Sequence, residues 1–391
     1  MQLTLISRSV SALTLIVVTV VFTTTTRADA AVTTLRDALK PMAEDVLAIV
    51  VKDQRQSGIA IGDFNAPTGL DANGGPGISE TLESLLNELQ PGLVQKKATL
   101  SLRGRYDKVP DPRDASQILI KVTAEITNSR GDRIDEKFAE LRDTSLIAGM
   151  LGSTVALPPA APREKRNEIL QKSLDKPSFS PEGTLIRSAA DRPFGVEILV
   201  TGIRDAPQDA KGWARVPARS PRSEDGQPFV DIKRDEVYAI RIHNDFKHDN
   251  EPYEAAVLVA IDGIDVFNYS QMRDPKTRKP KYTHYVCPQG QCTICGWHKT
   301  NEQSDSFLVT EFGKGAASRA KVARGKIGVI TVKFALAWAG NDVPAPEKGA
   351  RDAGNETGFG PPIRTQLKEV ERHVGVVRDV ISVRYSRRNR G

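Results

Sequence analysis

A chain of 391 residues, 39% hydrophobic and 27% charged, can build real cores and is too apolar for a disordered polymer. That length suits two domains. A formal charge of +6 is small for this size, so composition gives no argument for nucleic-acid binding.

The elements begin with an address. Met1–Ser9 carries one charge, Arg8; Val10–Phe22 is apolar, and Ala28-Asp29-Ala30 offers a small-residue cleavage site. Residues 1–30 therefore read as a signal peptide cut near Ala30-Ala31, with the mature protein periplasmic or secreted. No cysteine follows the apolar run, so a lipid anchor is not expected. No later run approaches about 20 apolar residues, so no transmembrane span is expected in the mature chain.

Residues 31–155 alternate helix and strand signals. Pro41 suits the first turn of a helix, where its missing N–H costs nothing, and Met42, Val46, Ile49 and Val50 follow at helical spacing. Ile59–Phe64 reads as a short buried strand and Ala66–Gly77 as a loop. Ile78, Leu82, Leu85, Leu86 and Leu89 mark a second amphipathic helix stopped by Pro91-Gly92. Period-two patterning predicts strands with Ala98, Leu100, Leu102, Gly104 and Tyr106 on one face, and Ile118, Ile120, Val122, Ala124 and Ile126 on another. A turn around Gly131, a returning strand over Ile134–Phe138 and a short helix within Thr144–Thr154 complete an α+β (mixed α/β) domain.

The prolines of Ala156–Arg192 define a semi-rigid linker, with a charged helix possible over Arg163–Lys176. Residues 193–391 are strand-dense: Val196–Thr201, Val237–His243, Ala255–Ile261, Tyr282–Cys287, Phe307–Thr310, Ile327–Phe334 and Val376–Tyr385. Asp262-Gly263 is a hairpin turn. With no long helix between them, these strands predict an all-β sandwich, carrying a long loop at 340–360 and the Trp213, Trp297 and Trp338 side chains as core filling.

Two resemblances follow from these residues. The order of Ile59–Phe64, the Leu-rich helix and the Ile118–Ile126 strand ending in a Gly turn resembles the extracytoplasmic domain of curli-transport and flagellar-assembly lipoproteins, over about residues 35–155. That likeness implies a non-catalytic binding and assembly module; the missing lipid-bearing cysteine departs from the pattern and argues against an outer-membrane anchor. Gly296-Trp297-His298-Lys299-Thr300-Asn301-Glu302, Ser304-Asp305-Ser306-Phe307-Leu308-Val309-Thr310-Glu311 and Ile327-Gly328-Val329-Ile330 resemble an uncharacterised β domain of bacterial extracytoplasmic proteins, from about Phe194 to Tyr385. That second likeness implies a cell-surface β domain and no known activity.

The three cysteines, Cys287, Cys292 and Cys295, fall in a C-x4-C-x2-C run with His298 just beyond. Four uses stay open at this point. A plant-type [2Fe–2S] cluster starts with this spacing but needs a fourth cysteine, which the chain lacks. A zinc site could use Cys287, Cys292, Cys295 and His298. A turn through Pro288 and Gly290 could bring Cys287 and Cys292 within the roughly 4–7 Å Cα separation of a disulfide, leaving Cys295 as the odd thiol. All three could also be small apolar residues of a strand pair.

Other candidates are weaker. Trp297, Asn301 and Glu302 form a candidate ligand loop for a saccharide. Arg273, Lys276, Arg278, Lys279 and Lys281 crowd one loop, and Arg384, Arg387, Arg388 and Arg390 the C-terminus; both suit an anionic surface or solvent alike. Asp262 and Asp265 suggest calcium less than a hairpin. Asn268-Tyr269-Ser270 and Asn355-Glu356-Thr357 fit glycosylation acceptors. No G-x-S-x-G, H-E-x-x-H, P-loop or EF-hand pattern occurs, and Cys295 with His298 lacks a third orienting group.

The sequence thus leads to an exported non-enzymatic binding or assembly protein, without cofactor, whose partner is an envelope protein or anionic polymer. A metal or redox protein centred on residues 287–298, with zinc, is the competing class. An enzyme acting on carbohydrate or cell wall is the third, and would need a pocket of paired carboxylates.

Overall fold

The structure, a computed structural model, describes residues 34–52, 58–67, 70, 74–276, 278–310, 328–340, 342–347, 354–357, 367 and 369–385. Residues 1–30, the basic Arg387, Arg388 and Arg390, and much of the expected 340–360 loop lie outside the described residues. The described residues, all beyond Ala31, fall in one compact unit. It is β-rich, with several sheets and few helices.

Helix α1 spans Leu35–Lys52. It starts six residues earlier than Pro41 suggested, leaving that proline inside the helix, where it supplies no backbone N–H. The true start signal is Thr34: its hydroxyl accepts the Asp37 N–H at 3.1 Å and bonds the Asp37 carboxylate in return. Strand β1 (Ile59–Asn65) and helix α2 (Gly75–Leu89) follow, then β2 (Leu100–Asp111), β3 (Asp114–Thr127) and β4 (Arg133–Leu141). The sheet order is β1-β2-β3-β4, with β1 parallel to β2 and the other pairs antiparallel. Alternation turns Leu102, Tyr106, Val122, Ala124 and Ile126 toward Leu39, Met42, Ile78 and Leu82 of the helices. The opposite face carries Arg103 and Arg105, with Ile134 and Phe138 of β4 exposed among them.

Next come α3 (Thr144–Met150), β5 (Val155–Ala156), α4 (Arg163–Asp175), β6 (Ser180–Glu182) and β7 (Leu185–Arg187). Residues 156–192, read as a linker from their prolines, are folded in place. Leu157 and Leu170 are fully buried, and the Asn167 amide bonds the Ile118 N–H and C=O at 3.0 Å each. Arg163 and Arg142 enclose the Asp111 carboxylate at 2.8 and 3.1 Å. Burial alone would raise that carboxyl, but backbone and arginine hydrogen bonds outweigh it and hold it far below the usual range.

The remaining elements are β8 (Phe194–Gly202), α5 (Ala210–Trp213), β9 (Arg222–Glu224), β10 (Gln227–Phe229), β11 (Glu236–Asn244), β12 (Lys247–His248) and β13 (Glu251–Pro252). Then come β14 (Glu254–Ile261), β15 (Ile264–Asp265), β16 (Tyr285–Cys287), β17 (Gly290–Ile294), β18 (Gly296–Thr300) and β19 (Gln303–Leu308). The last are β20 (Val329–Trp338), β21 (Gly354–Thr357), β22 (Glu371–Val374) and β23 (Asp379–Arg384). A ten-stranded sheet runs β15-β14-β20-β23-β10-β9 with four further strands attached, and a seven-stranded sheet runs β18-β19-β11-β8-β7-β6 with β17 on β11. Their inner faces share one cluster, in which Ile198, Tyr238 and Ile240 meet Val257, Val332 and Phe334. The expected 340–360 loop holds a 3-10 turn at Ala345–Glu347 and the strand β21, which pairs with β22.

Strand β20 decides where the site lies. All ten of its residues are buried, because both faces are covered. Ile330, Val332, Phe334 and Leu336 enter the shared core, while Thr331 and Lys333 point to the face over which α3 packs. At the neighbouring turn, Asp262 and Gly263 both take positive φ (52° and 76°), and α2 docks there through Gly77. A Cβ on Gly77 would stand 2.0 Å from the Gly263 oxygen, so only glycine permits that approach.

Candidate functional site

The cysteine run is built into both sheets. Cys287 ends β16, opposite Ala255 of β14; Cys292 lies in β17, opposite Ile242 of β11. The turn between them brings their Cα atoms to 5.8 Å and their sulfurs to bonding distance, so the bridge joins the two sheets. Cys295 goes elsewhere, into a separate apolar cluster with Leu199, Trp213, Val237 and Ala239. Burial pushes its thiol up to about 12, with Asp209 adding to the effect, which disfavours the thiolate.

His298 faces away from that cluster. Its ring packs against Phe267 and Tyr282, its Nδ1 meets the Ser270 hydroxyl at 2.9 Å, and burial lowers it to about 4. The four groups of the zinc alternative therefore do not converge. Among the described residues, no group of three His, Cys, Asp or Glu side chains is placed to hold a metal.

Trp297 is half-buried, edge-on to Tyr269 and Phe307 at 5.3 and 5.5 Å, rather than presented as a flat platform. Asn301 and Glu302 sit in the β18–β19 turn, where the Glu302 carboxylate accepts from the Thr300 hydroxyl at 3.0 Å. In the basic loop, Arg273 pairs with Glu88 of α2 at 3.1 Å and Lys281 with Glu369 at 2.6 Å. Lys276 and Arg278 are exposed, and Lys279 is half-buried. Asp262, weighed as a calcium ligand, accepts the Gly328 and Val329 N–H groups at 2.6 and 2.9 Å and the Tyr385 hydroxyl at 2.9 Å. That set completes a hairpin anchor. Asp265 accepts the Phe267 N–H at 2.8 Å.

Two features escaped the sequence. On the seven-stranded sheet, Glu197 gathers Arg241 at 3.0 Å, His243 Nε2 at 2.9 Å and the Thr184 hydroxyl. Burial works to raise this carboxyl, but the three hydrogen bonds outweigh it and keep it below its usual range.

The other is a cavity of about 150 Å³ between the outer face of β14 and β20, helix α3, the starts of α1 and α2, and the 267–283 loop. Leu146, Met150, Leu258 and Phe267 supply apolar wall; Thr331 and Lys333 supply polar floor. Lys333 is 6% exposed and makes no hydrogen bond or ion pair among the described residues. Burial lowers its ammonium, against a pull upward from the charges of Asp143 and Asp265. Of the other charged lining residues, Arg36 pairs with Glu88, Asp37 with the Thr34 hydroxyl and Asp265 with the Phe267 N–H, while the half-buried Lys279 makes no side-chain hydrogen bond or ion pair among the described residues. The signal in the sequence was a lysine inside Val329–Trp338, otherwise apolar but for Thr331. Alternation there reads as a solvent-facing lysine, and only the packing of α3 buries it.

Comparison with protein-family profiles, characterised proteins and solved structures finds no match to this chain.

Proposed function

We propose that this chain is an exported, non-enzymatic binding protein of the periplasm or cell envelope, with the cavity over Lys333 as its ligand site. An α/β first part and a β-sandwich second part, held by residues 156–192, would form its two walls. The cavity carries this reading: a partly open, mainly apolar space with an unmatched buried cation on its floor is a recognition feature. The sequence of residues 1–30 supports export. The Cys287–Cys292 bridge suits an oxidising compartment. The non-enzymatic part rests on how the candidate catalytic groups are used: Cys295 in an apolar cluster with a raised thiol, His298 lowered and bonded to Ser270.

Cell fractionation of the full chain tests export, with N-terminal sequencing and a thiol count under denaturing conditions. A protein in the envelope fraction, beginning at Ala31 with one free thiol, is the expected result. A cytosolic chain retaining residues 1–30 with three free thiols would overturn it.

A further inference from the structure

A lysine ammonium is strongly hydrated, and burying it without a partner is among the costlier arrangements in a folded protein. Buried charges are normally paired, as this chain does for Asp111 with two arginines and for Glu347 with Arg378 at 2.7 Å. Lys333, on the floor of the cavity, departs from that pattern: it has neither an ion pair nor a hydrogen bond among the described residues. Its neighbours do not relieve it. The Thr331 hydroxyl is engaged by Ser382 at 3.1 Å, and Asp265 is bound to backbone. Lys279 adds a second ammonium to the wall, and it too has no side-chain hydrogen bond or ion pair among the described residues. The charges of Asp143 and Asp265 act on Lys333 from a distance, but both carboxylates of the lining already hold hydrogen-bond donors while neither ammonium holds an acceptor among the described residues, so the unmet demand of the cavity is for a hydrogen-bond acceptor at Lys333.

Size and lining define the rest of the ligand. About 150 Å³ is the volume at which an apolar protein cavity takes up a molecule the size of benzene. Leu146 and Met150 of α3, Leu258 of β14 and Phe267 would cover an apolar body of that size. The exposed Asp37 marks the side on which the cavity meets solvent.

We infer that this cavity binds a small organic monocarboxylate, its carboxylate on the Lys333 ammonium and its apolar body against Leu146, Met150, Leu258 and Phe267. This inference rests on the binding reading above and names the ligand's charge and size. No covalent step is involved. The carboxylate supplies the hydrogen-bond acceptor that Lys333 lacks, in a place where water would be a poorer counter-charge.

Three probes of one shape and different charge test it: benzoate, benzyl alcohol and benzylamine, titrated calorimetrically into the oxidised mature chain at pH 7. Benzoate is expected to bind at least tenfold more tightly than the other two, and Lys333→Met to remove that preference while leaving benzyl alcohol unchanged. Equal or tighter binding of benzyl alcohol or benzylamine would overturn the carboxylate assignment and leave a binding cavity of another kind. Benzoate binding that survives Lys333→Met undiminished would place the anion elsewhere and overturn it too. If none of the three binds, the carboxylate assignment fails and the cavity reading under Proposed function fails with it. The probe series on the unaltered protein decides the matter even if the variant folds poorly.

Discussion

The hairpin at residues 287–298 and the floor of the cavity at Lys333 make opposite use of polar chemistry. The hairpin holds the residues a reader of the sequence notices first, three cysteines and a histidine, and every one is absorbed by the fold. Two close a bridge, one fills an apolar cluster, and the imidazole is packed between Phe267 and Tyr282 with its Nδ1 on Ser270, its Nε2 alone lacking a partner among the described residues. The cavity holds one unremarked lysine in an apolar strand, and among the described residues no side chain hydrogen-bonds or ion-pairs with it. The contrast is that reactive residue types can be consumed by the fold, while a plain lysine on a cavity floor is left with its hydrogen-bonding capacity unused. A satisfied group stabilises, and an unsatisfied buried one costs stability.

If that contrast holds, removing satisfied groups should hurt and removing Lys333 should not. The largest loss is expected at Asp262, which takes two backbone N–H groups and the Tyr385 hydroxyl. Asp262→Ala strands two buried backbone donors and the half-buried Tyr385 hydroxyl, and should cost about 3 kcal/mol in urea unfolding. A loss under about 1 kcal/mol would mean the hairpin anchor is dispensable. Replacing Cys287 and Cys292 together by serine opens a short loop and should cost about 2 kcal/mol in the same assay, with no loss of benzoate binding. Loss of binding in that variant would tie the hairpin to the site and break the contrast.

His298 gives a smaller, pH-dependent effect. Its imidazole is lowered to about 4 in the fold from an ordinary value of 6.5, so the unfolded chain gains a proton first as pH falls. Stability from the neutral ring is complete above pH ~6.5 and lost progressively toward pH ~4, by about 1–2 kcal/mol after allowance for solvent screening. His298→Asn should flatten that slope. Equal slopes in the two proteins would show that His298 is not the group responsible.

Much of the fold was legible because periodicity carried it. Ile120, Val122, Ala124 and Ile126 alternate inward as their spacing required, and Ile78, Leu82, Leu85 and Leu86 line one helix face. The Asp262-Gly263 turn announced its hairpin. Other boundaries were not legible. Pro41 looked like a helix start because proline is tolerated there, while the Thr34–Asp37 capping pair set the start earlier. The prolines of 156–192 looked like a linker, although Leu157, Asn167 and Leu170 anchor that stretch. Cys287 and Cys292 could be placed within reach because the turn between them is local. Lys333 could not be placed in a cavity, because its cover comes from α3 and the start of α1, far away in sequence. Local pattern reports which face of a strand a residue takes, and only tertiary packing reports what lies over that face.

Lys333 is a buried cation without a hydrogen bond or ion pair among the described residues, and the proposed ligand would supply its partner. The most direct measurement compares unfolding free energies of the natural chain and Lys333→Met at pH 10 and pH 7, with and without benzoate. Asp143, Asp265, Arg36, Asp37 and Lys279 are present in both proteins, so the difference isolates Lys333. Its ammonium is lowered in the fold, so as pH falls from about 10 the unfolded chain takes up a proton that the folded chain resists. Lys333→Met should therefore gain on the natural chain between pH 10 and pH 7, and benzoate should close that gap at pH 7. A gap that does not change with pH, or that benzoate leaves untouched, would contradict the account.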